Sequence, residues 1–204
     1  MAAFSFWPLR SLGWRLASRH RLPAVQLTSE RLILRPLAVD DAGAMLAYAS
    51  DPEVTRYLPW YPATQIDVIR TFLQDQEAQR LRGETLGLAM VLAKSQAMIG
   101  SISLMHLRSS EPGTAELGYL LARPYWGQGF MTEAARCVVH HAFTERRLTR
   151  LIAFADSENA ASRRVLEKAG MQATTTELRI VKQESRIYVR FERHRDTHVP
   201  EPPG

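Results

Sequence analysis

The sequence predicts an α/β domain in which helices flank a mixed, mostly antiparallel sheet, and three observations carry that prediction. Residues 114–155 read strand, glycine turn, helix, strand. A crossover of this kind is right-handed, so its two strands run parallel. The strand-like runs Thr85 to Ala93 and Met98 to Leu107 are joined by only Lys94 to Ala97, short enough for an antiparallel hairpin. Thr174 to Val181 and Arg186 to Arg193 form a terminal strand pair, and in the second Ile187, Val189 and Phe191 alternate with Tyr188, Arg190 and Glu192, so one face should be buried. At 204 residues the chain can bury one good core without a metal or disulfide.

Taken in order, residues 1–25 mix aromatic and aliphatic side chains with Arg10, Arg15, Arg19 and Arg21, and Pro8 interrupts them. The two sides on which the arginines fall do not make a clean amphipathic anchor, so a flexible basic extension is expected. Its acid-free, Arg-rich composition also resembles a mitochondrial transit peptide. Nothing here is long and apolar enough to span a membrane. A single domain then occupies residues 26–195. Arg31 to Leu37 is a strand, and Asp40-Asp41 cap a helix through about Ser50. Tyr57 to Pro62 is an aromatic, proline-broken loop in which Trp60 and Tyr61 either shape a pocket or plug the core. Thr64, with Asp67 three residues on, starts a helix to about Arg82 with Ile66, Ile69, Phe72 and Leu73 inward.

After the strand Thr114 to Leu121 comes Trp126 to Glu133, then a helix to about Arg147 whose Met131, Ala134, Ala135, Val138, Ala142 and Phe143 share one face. Leu151 to Ala155 suits a strand covered on both faces. Asp156 to Asn159 leads into a short helix with Ala161, Val165, Leu166 and Ala169 inward, stopped by Gly170. Residues 196–204, with Pro200, Pro202 and Pro203, are expected to be disordered.

Charge narrows the function. The formal charge is +5, from 26 Lys and Arg against 21 Asp and Glu. With the four N-terminal arginines set aside, bases and acids nearly balance, so no basic face for nucleic acid is demanded. Cys137 is the only cysteine. It reads as a buried, inert thiol, and a lone cysteine implies a reducing compartment, here the cytoplasm, with mitochondrial targeting as the alternative. No Cys/His cluster suggests a metal.

The chemistry concentrates at Gly127 and Gly129. Glycines at the opening of a helix let main-chain N–H groups approach a ligand, and the unpaired N–H groups there suit phosphate. A dinucleotide fingerprint needs Gly or Ala where Thr132 stands, and a Walker loop needs Gly-Lys where Gly129-Phe130 stands, so both fail.

Three segments, Thr114-Ala115-Glu116-Leu117-Gly118-Tyr119, then Tyr125-Trp126-Gly127-Gln128-Gly129-Phe130-Met131-Thr132-Glu133-Ala134, then Asn159-Ala160-Ala161-Ser162 through Glu167-Lys168-Ala169-Gly170, resemble the GNAT superfamily of acyl-CoA-dependent N-acyltransferases, most nearly its RimJ/RimL-type branch. The resemblance spans about Leu27 to Arg193 and implies the GNAT fold, whose parallel strand pair is splayed into a slot. Where the wider superfamily often has Gln or Arg, three residues before the first glycine, Pro124 stands; Arg123 is one residue earlier.

The resemblance implies acetyl-CoA as co-substrate, held at Trp126, Gly127, Gln128, Gly129, Phe130, Met131 and Thr132. Arg163 or Arg164 would serve its outer phosphate, and Tyr119, Leu120 and Leu121 would line the pantetheine arm. Asn159 holds that arm or caps its helix. It also implies direct attack of a neutral amine, with Glu116 as base or as a structural carboxylate and a main-chain N–H around Leu120 for the oxyanion. Ser162 protonates or steadies the departing thiolate, or only satisfies backbone groups. The acceptor is a protein N-terminus or a small amine, no metal is required, and a monomer or homodimer is expected. The competing reading is a non-catalytic acyl-CoA-binding module for sensing or assembly.

Overall fold

The computed structural model describes residues 25–195. The extension expected at 1–25, apart from Val25, and the tail at 196–204 lie outside the described residues. Eight strands form one sheet: β1 (Leu27–Thr28), β2 (Leu32–Pro36), β3 (Leu86–Leu92), β4 (Met98–Met105), β5 (Thr114–Leu121), β6 (Arg150–Asp156), β7 (Gln172–Val181) and β8 (Glu184–His194). Their order is β1-β2-β3-β4-β5-β6-β8-β7. Every neighbouring pair is antiparallel except β5 with β6. The helices are α1 (Ala42–Ala49), α2 (Pro52–Thr55), α3 (Ile66–Arg82), α4 (Phe130–Thr144) and α5 (Ala160–Lys168).

Side-chain alternation sorts the helices onto two faces. Leu86, Leu88 and Met90 of β3 pack in the cluster that holds Ala134, Val138 and Ala142 of α4 and Leu166 of α5. Ala89 and Val91 point the other way, into the cluster with Met45 of α1 and Ile69 and Leu73 of α3. A strand covered on both faces must be apolar at successive positions, which accounts for the unbroken run Leu86–Leu92.

Pairing between β5 and β6 covers only Thr114↔Arg150, Ala115↔Leu151 and Glu116↔Ile152. Beyond that, β5 stays with β4 as far as Gly100↔Leu121, and β6 stays with β8 as far as Asp156↔Tyr188. Each strand keeps its outer neighbour while the sheet twists, so the two part. Gly100 permits close contact on the β4 side: a Cβ there would stand 2.4 Å from the Leu120 carbonyl oxygen.

Several local expectations are corrected. The N-cap of α1 is Asp41 without a side-chain bond. Its carboxylate instead accepts from both terminal nitrogens of Arg35, at 2.8 and 2.6 Å, and from the Ala38 N–H at 2.9 Å. Thr64 caps nothing, since α3 is capped at Gln65 with no side-chain bond, and Asp67 serves Arg70. The helix α4 ends at Thr144 rather than near Arg147. Cys137 and Phe143 are half-buried, and Ala161 is exposed. Trp60 packs against the α1/α3 cluster, whereas Tyr61 is exposed.

The alternation in β8 also fails at its start, where Tyr188 is buried and Ile187 is 51% exposed. Residues of β8 before Tyr188 have only β7 as a strand neighbour, so the tip of this hairpin is a two-stranded ribbon. One face of the ribbon meets the α2 segment, where Val181 is buried and Lys182 donates to the Thr55 carbonyl at 2.8 Å, and on the opposite face Leu178, Ile180 and Ile187 are exposed.

Candidate active site

A turn of helix, Arg123–Tyr125, links β5 to the glycine turn that opens α4. Gly127 and Gly129 have φ of 73° and 82°, the left-handed region that only glycine enters without cost. No acceptor among the described residues takes the N–H groups of Gly127, Gln128 or Gly129. The neighbouring side chains are spent on closing the turn. Trp126 donates its indole N–H to the Leu121 carbonyl at 2.8 Å, and Gln128 donates its amide to the Pro124 carbonyl at 2.8 Å. The loop is thus held by its own side chains with its main-chain donors at the positive end of α4, which is the arrangement a diphosphate needs.

A residue from the far end of the domain braces this turn. Arg31 donates from Nη1 to the Gln128 carbonyl at 3.1 Å and from Nε to Glu133 at 2.7 Å, and it lies 4.3 Å over the Phe130 ring. Ser29 and the Arg31 main-chain N–H complete the Glu133 carboxylate, each at 2.8 Å. Burial alone would raise the Glu133 pKa, but these hydrogen bonds and the Arg31 charge hold it below the ordinary range. Nothing in the local sequence announces Arg31, since its partners are about a hundred residues away.

The wedge between β5 and β6 is lined by the two faces of β5 in different ways. Glu116, at the last paired position, is 8% exposed. Burial is the main cause that pushes its pKa up from 4.5 to about 7; Arg179 opposes this, Glu177 adds to it and Arg190 opposes it. The His106 Nε2 stands 3.8 Å from the carboxylate. Tyr119, an odd number of residues on, faces α5, where its hydroxyl lies 3.0 Å from the Ser162 hydroxyl and donates to the Ser162 carbonyl at 3.1 Å. Burial raises the Tyr119 pKa, so this phenol stays protonated.

The cleft runs continuously from Trp60 and Phe72 past Glu116 and Tyr119 to Gly127 and Asn159. Of the residues singled out in the sequence, it gathers Glu116, Tyr119, Leu120, Leu121, Trp126, Gly127, Gly129, Met131, Thr132, Asn159 and Ser162. Gln128 and Phe130 do not line it. Arg164, rather than Arg163, stands along it. Arg123 pairs with Asp51 at 2.9 Å and is not available to replace the side chain absent at Pro124. Asn159 accepts the Ser162 N–H at 3.0 Å, a helix cap that leaves its amide N–H groups uncommitted by this bond.

The strand ladder decides which main-chain donors face the wedge. The Ala122 N–H donates to the Ile99 carbonyl at 2.8 Å, and the register from there is unbroken to Glu116. Alternation then directs the Leu120 N–H to β4, and the amides of Tyr119 and Leu121 toward the wedge. The N–H of Leu120, where a donor was expected, is thus committed to β4, and the strand amides left facing the wedge beside it are those of Tyr119 and Leu121. Among the described residues, no group of three or more side chains could hold a metal ion, and no helix is long and apolar enough to cross a membrane.

Comparison with known proteins adds an independent finding. Residues 31–172 match the family model described as an acetyltransferase (GNAT) domain. The chain is 33% identical over 146 residues to the uncharacterized N-acetyltransferase p20 of Bacillus licheniformis, covering 72% of this chain and 82% of that protein. Among solved structures it is similar in fold to RimL, a ribosomal L7/L12 α-N-protein acetyltransferase in complex with coenzyme A, with a TM-score of 0.76, 19% identity and coverage of 84% of this chain and 99% of that one. Mycobacterium smegmatis RimJ in complex with CoA-disulfide aligns with a TM-score of 0.74 at 20% identity, covering 87% of this chain and 89% of that one.

Proposed function

The chain belongs to the acetyltransferase (GNAT) domain family, and from that premise we propose that it transfers the acetyl group of acetyl-CoA to the α-amine of a protein or peptide N-terminus. One observation carries the reading. The wedge between β5 and β6 has unpaired main-chain donors at one end and, at the other, a buried carboxyl whose pKa lies near neutrality. The fold likeness to RimL and RimJ brings N-terminal amines forward as the first acceptor class to test.

The residues fit acetyl-CoA on chemical grounds. The N–H groups of Gly127 to Gly129 and the α4 dipole suit its diphosphate, Arg164 is at hand for an outer phosphate, and the unpaired edge of β5 offers its amides to the pantetheine arm. When bound, the thioester supplies the acetyl group. Glu116 accepts a proton from the ammonium so that the nitrogen can attack, which a carboxylate near pKa 7 does efficiently at neutral pH. The amide of Tyr119 or Leu121 steadies the carbonyl oxygen as it gains charge. Ser162, oriented by Tyr119, supports the departing sulfur.

Release of coenzyme A from acetyl-CoA, followed with Ser- and Ala-initiated hexapeptides, their N-formylated counterparts, spermine and an aminoglycoside, tests the proposal. Release only with free α-amines is the expected result. Release with spermine and none with any peptide would move the acceptor to small amines. Tight acetyl-CoA binding without release to any amine would favour a non-catalytic module.

A further inference from the structure

Glu116 is almost closed off from solvent, so a proton that it accepts needs a way out. We propose that His106 is the exit, taking the proton from Glu116 at Nε2 and passing it to water. This rests on Glu116 being the base. The Nε2 of His106 is 3.8 Å from the nearer carboxylate oxygen, and its side chain is 49% exposed against 10% for Glu116, so the imidazole connects the buried group to bulk solvent. The backbone enforces this placement. His106 directly follows β4, whose last residue Met105 is opposite Glu116, and its φ of 59° turns the chain in the left-handed region.

The other charged groups that face Glu116 cannot do the same work. Arg179 on β7 and Arg190 on β8 present only N–H donors and no acceptor for a proton, and Glu177 on β7 is paired with Arg179. Burial lowers the His106 pKa from its ordinary value while it raises that of Glu116 to about 7, so the imidazole holds a proton less tightly than the carboxyl and gives it up readily to water. The steps balance. The amine N–H proton moves to Glu116, from there to Nε2, and the imidazolium releases one proton to solvent and returns to neutral imidazole. No bond other than those to the proton changes.

The left-handed φ decides the test variants. Glycine adopts it freely and leaves space for added imidazole, and asparagine tolerates it while removing the titrating ring. With the full chain, acetyl-CoA and the Ser-initiated hexapeptide, His106→Gly should lower turnover roughly tenfold. Its acetyl-CoA KM should be unchanged, and imidazole should restore the rate with a dependence on the neutral base. His106→Asn should be equally slow but unresponsive, and Glu116→Gln should be slow and not rescued. A second readout needs no acceptor: the imidazole resonances of His106 should show an inflection near pH 7 as the adjacent Glu116 ionises, and Glu116→Gln should abolish it. Wild-type turnover in both His106 variants beside a slow Glu116→Gln would overturn this proposal alone, as would His106 resonances in the wild type that carry no such inflection. Wild-type turnover and pH profile in Glu116→Gln would overturn the base assignment and the exit with it.

Discussion

Replacing Glu116 by Gln should stabilise the protein at alkaline pH, and the size of the effect follows from the wedge. Gln imitates the protonated carboxyl in shape and hydrogen-bonding capacity but never carries its charge. Burial raises the Glu116 pKa in the folded protein from 4.5 to about 7, so between these values the folded state binds more protons than the unfolded one. Its contribution is therefore fully present below pH 4.5 and is lost as pH rises through about 7. At roughly 1.4 kcal/mol per pH unit, the ionised form costs about 1 kcal/mol at pH 5 and about 3 kcal/mol at pH 8. Urea unfolding of both forms across this range should give curves that meet below pH 4.5 and separate by about 3 kcal/mol at pH 8. If Glu116 is the base as proposed, turnover should move oppositely: the wild-type rate should rise with ionisation of the same group near pH 7, and the Gln variant should lose that limb. A stability difference that stays flat from pH 5 to 8 would refute the claim that this carboxyl is desolvated in the folded protein.

Three other outcomes are expected. Gly129→Val places a branched side chain at φ 82° and should weaken acetyl-CoA binding by tenfold or more, about 1.4 kcal/mol or above; since a Cβ meets only Arg31, at 3.6 Å, the cause is backbone strain and not a clash. Calorimetric titration checks it, and wild-type affinity in a folded variant would place the cradle elsewhere. Arg31→Met frees the Gln128 carbonyl and the Glu133 carboxylate, so the acetyl-CoA dissociation constant should rise about tenfold with saturated turnover unchanged, and Arg31→Lys should not restore it because lysine lacks the planar fork. Asp41→Ala removes the two-pronged partner of Arg35, whose guanidinium stays partly solvated, and should cost about 2 kcal/mol in urea unfolding, with activity per folded molecule preserved.

The sequence by itself determined the course of the chain through the sheet. Strand polarity follows from what joins the strands, so the short link at Lys94 to Ala97 and the helical crossover after Leu121 dictated an antiparallel and a parallel pair. The glycine turn was equally legible, because left-handed backbone at Gly127 and Gly129 leaves a signature in residue type alone. Local periodicity failed where its premise failed: Ile187 alternates like a buried residue, but beyond Asp156, opposite Tyr188, the strand runs on as a two-stranded ribbon, and nothing in its own sequence says which face of that ribbon another segment will cover.

Tertiary structure alone decided the rest. Asp41 looks like a helix cap until Arg35 is beside it, and Leu120 looks like the oxyanion donor until the register commits its N–H to β4. Arg31 at the glycine turn and His106 beside Glu116 carry no local pattern, because their roles arise from contacts between strands and helices far apart in sequence. The pKa of Glu116 belongs to the same class: a carboxyl's chemistry is set by the water it loses, and that loss is a property of the packed wedge and not of the strand that bears it.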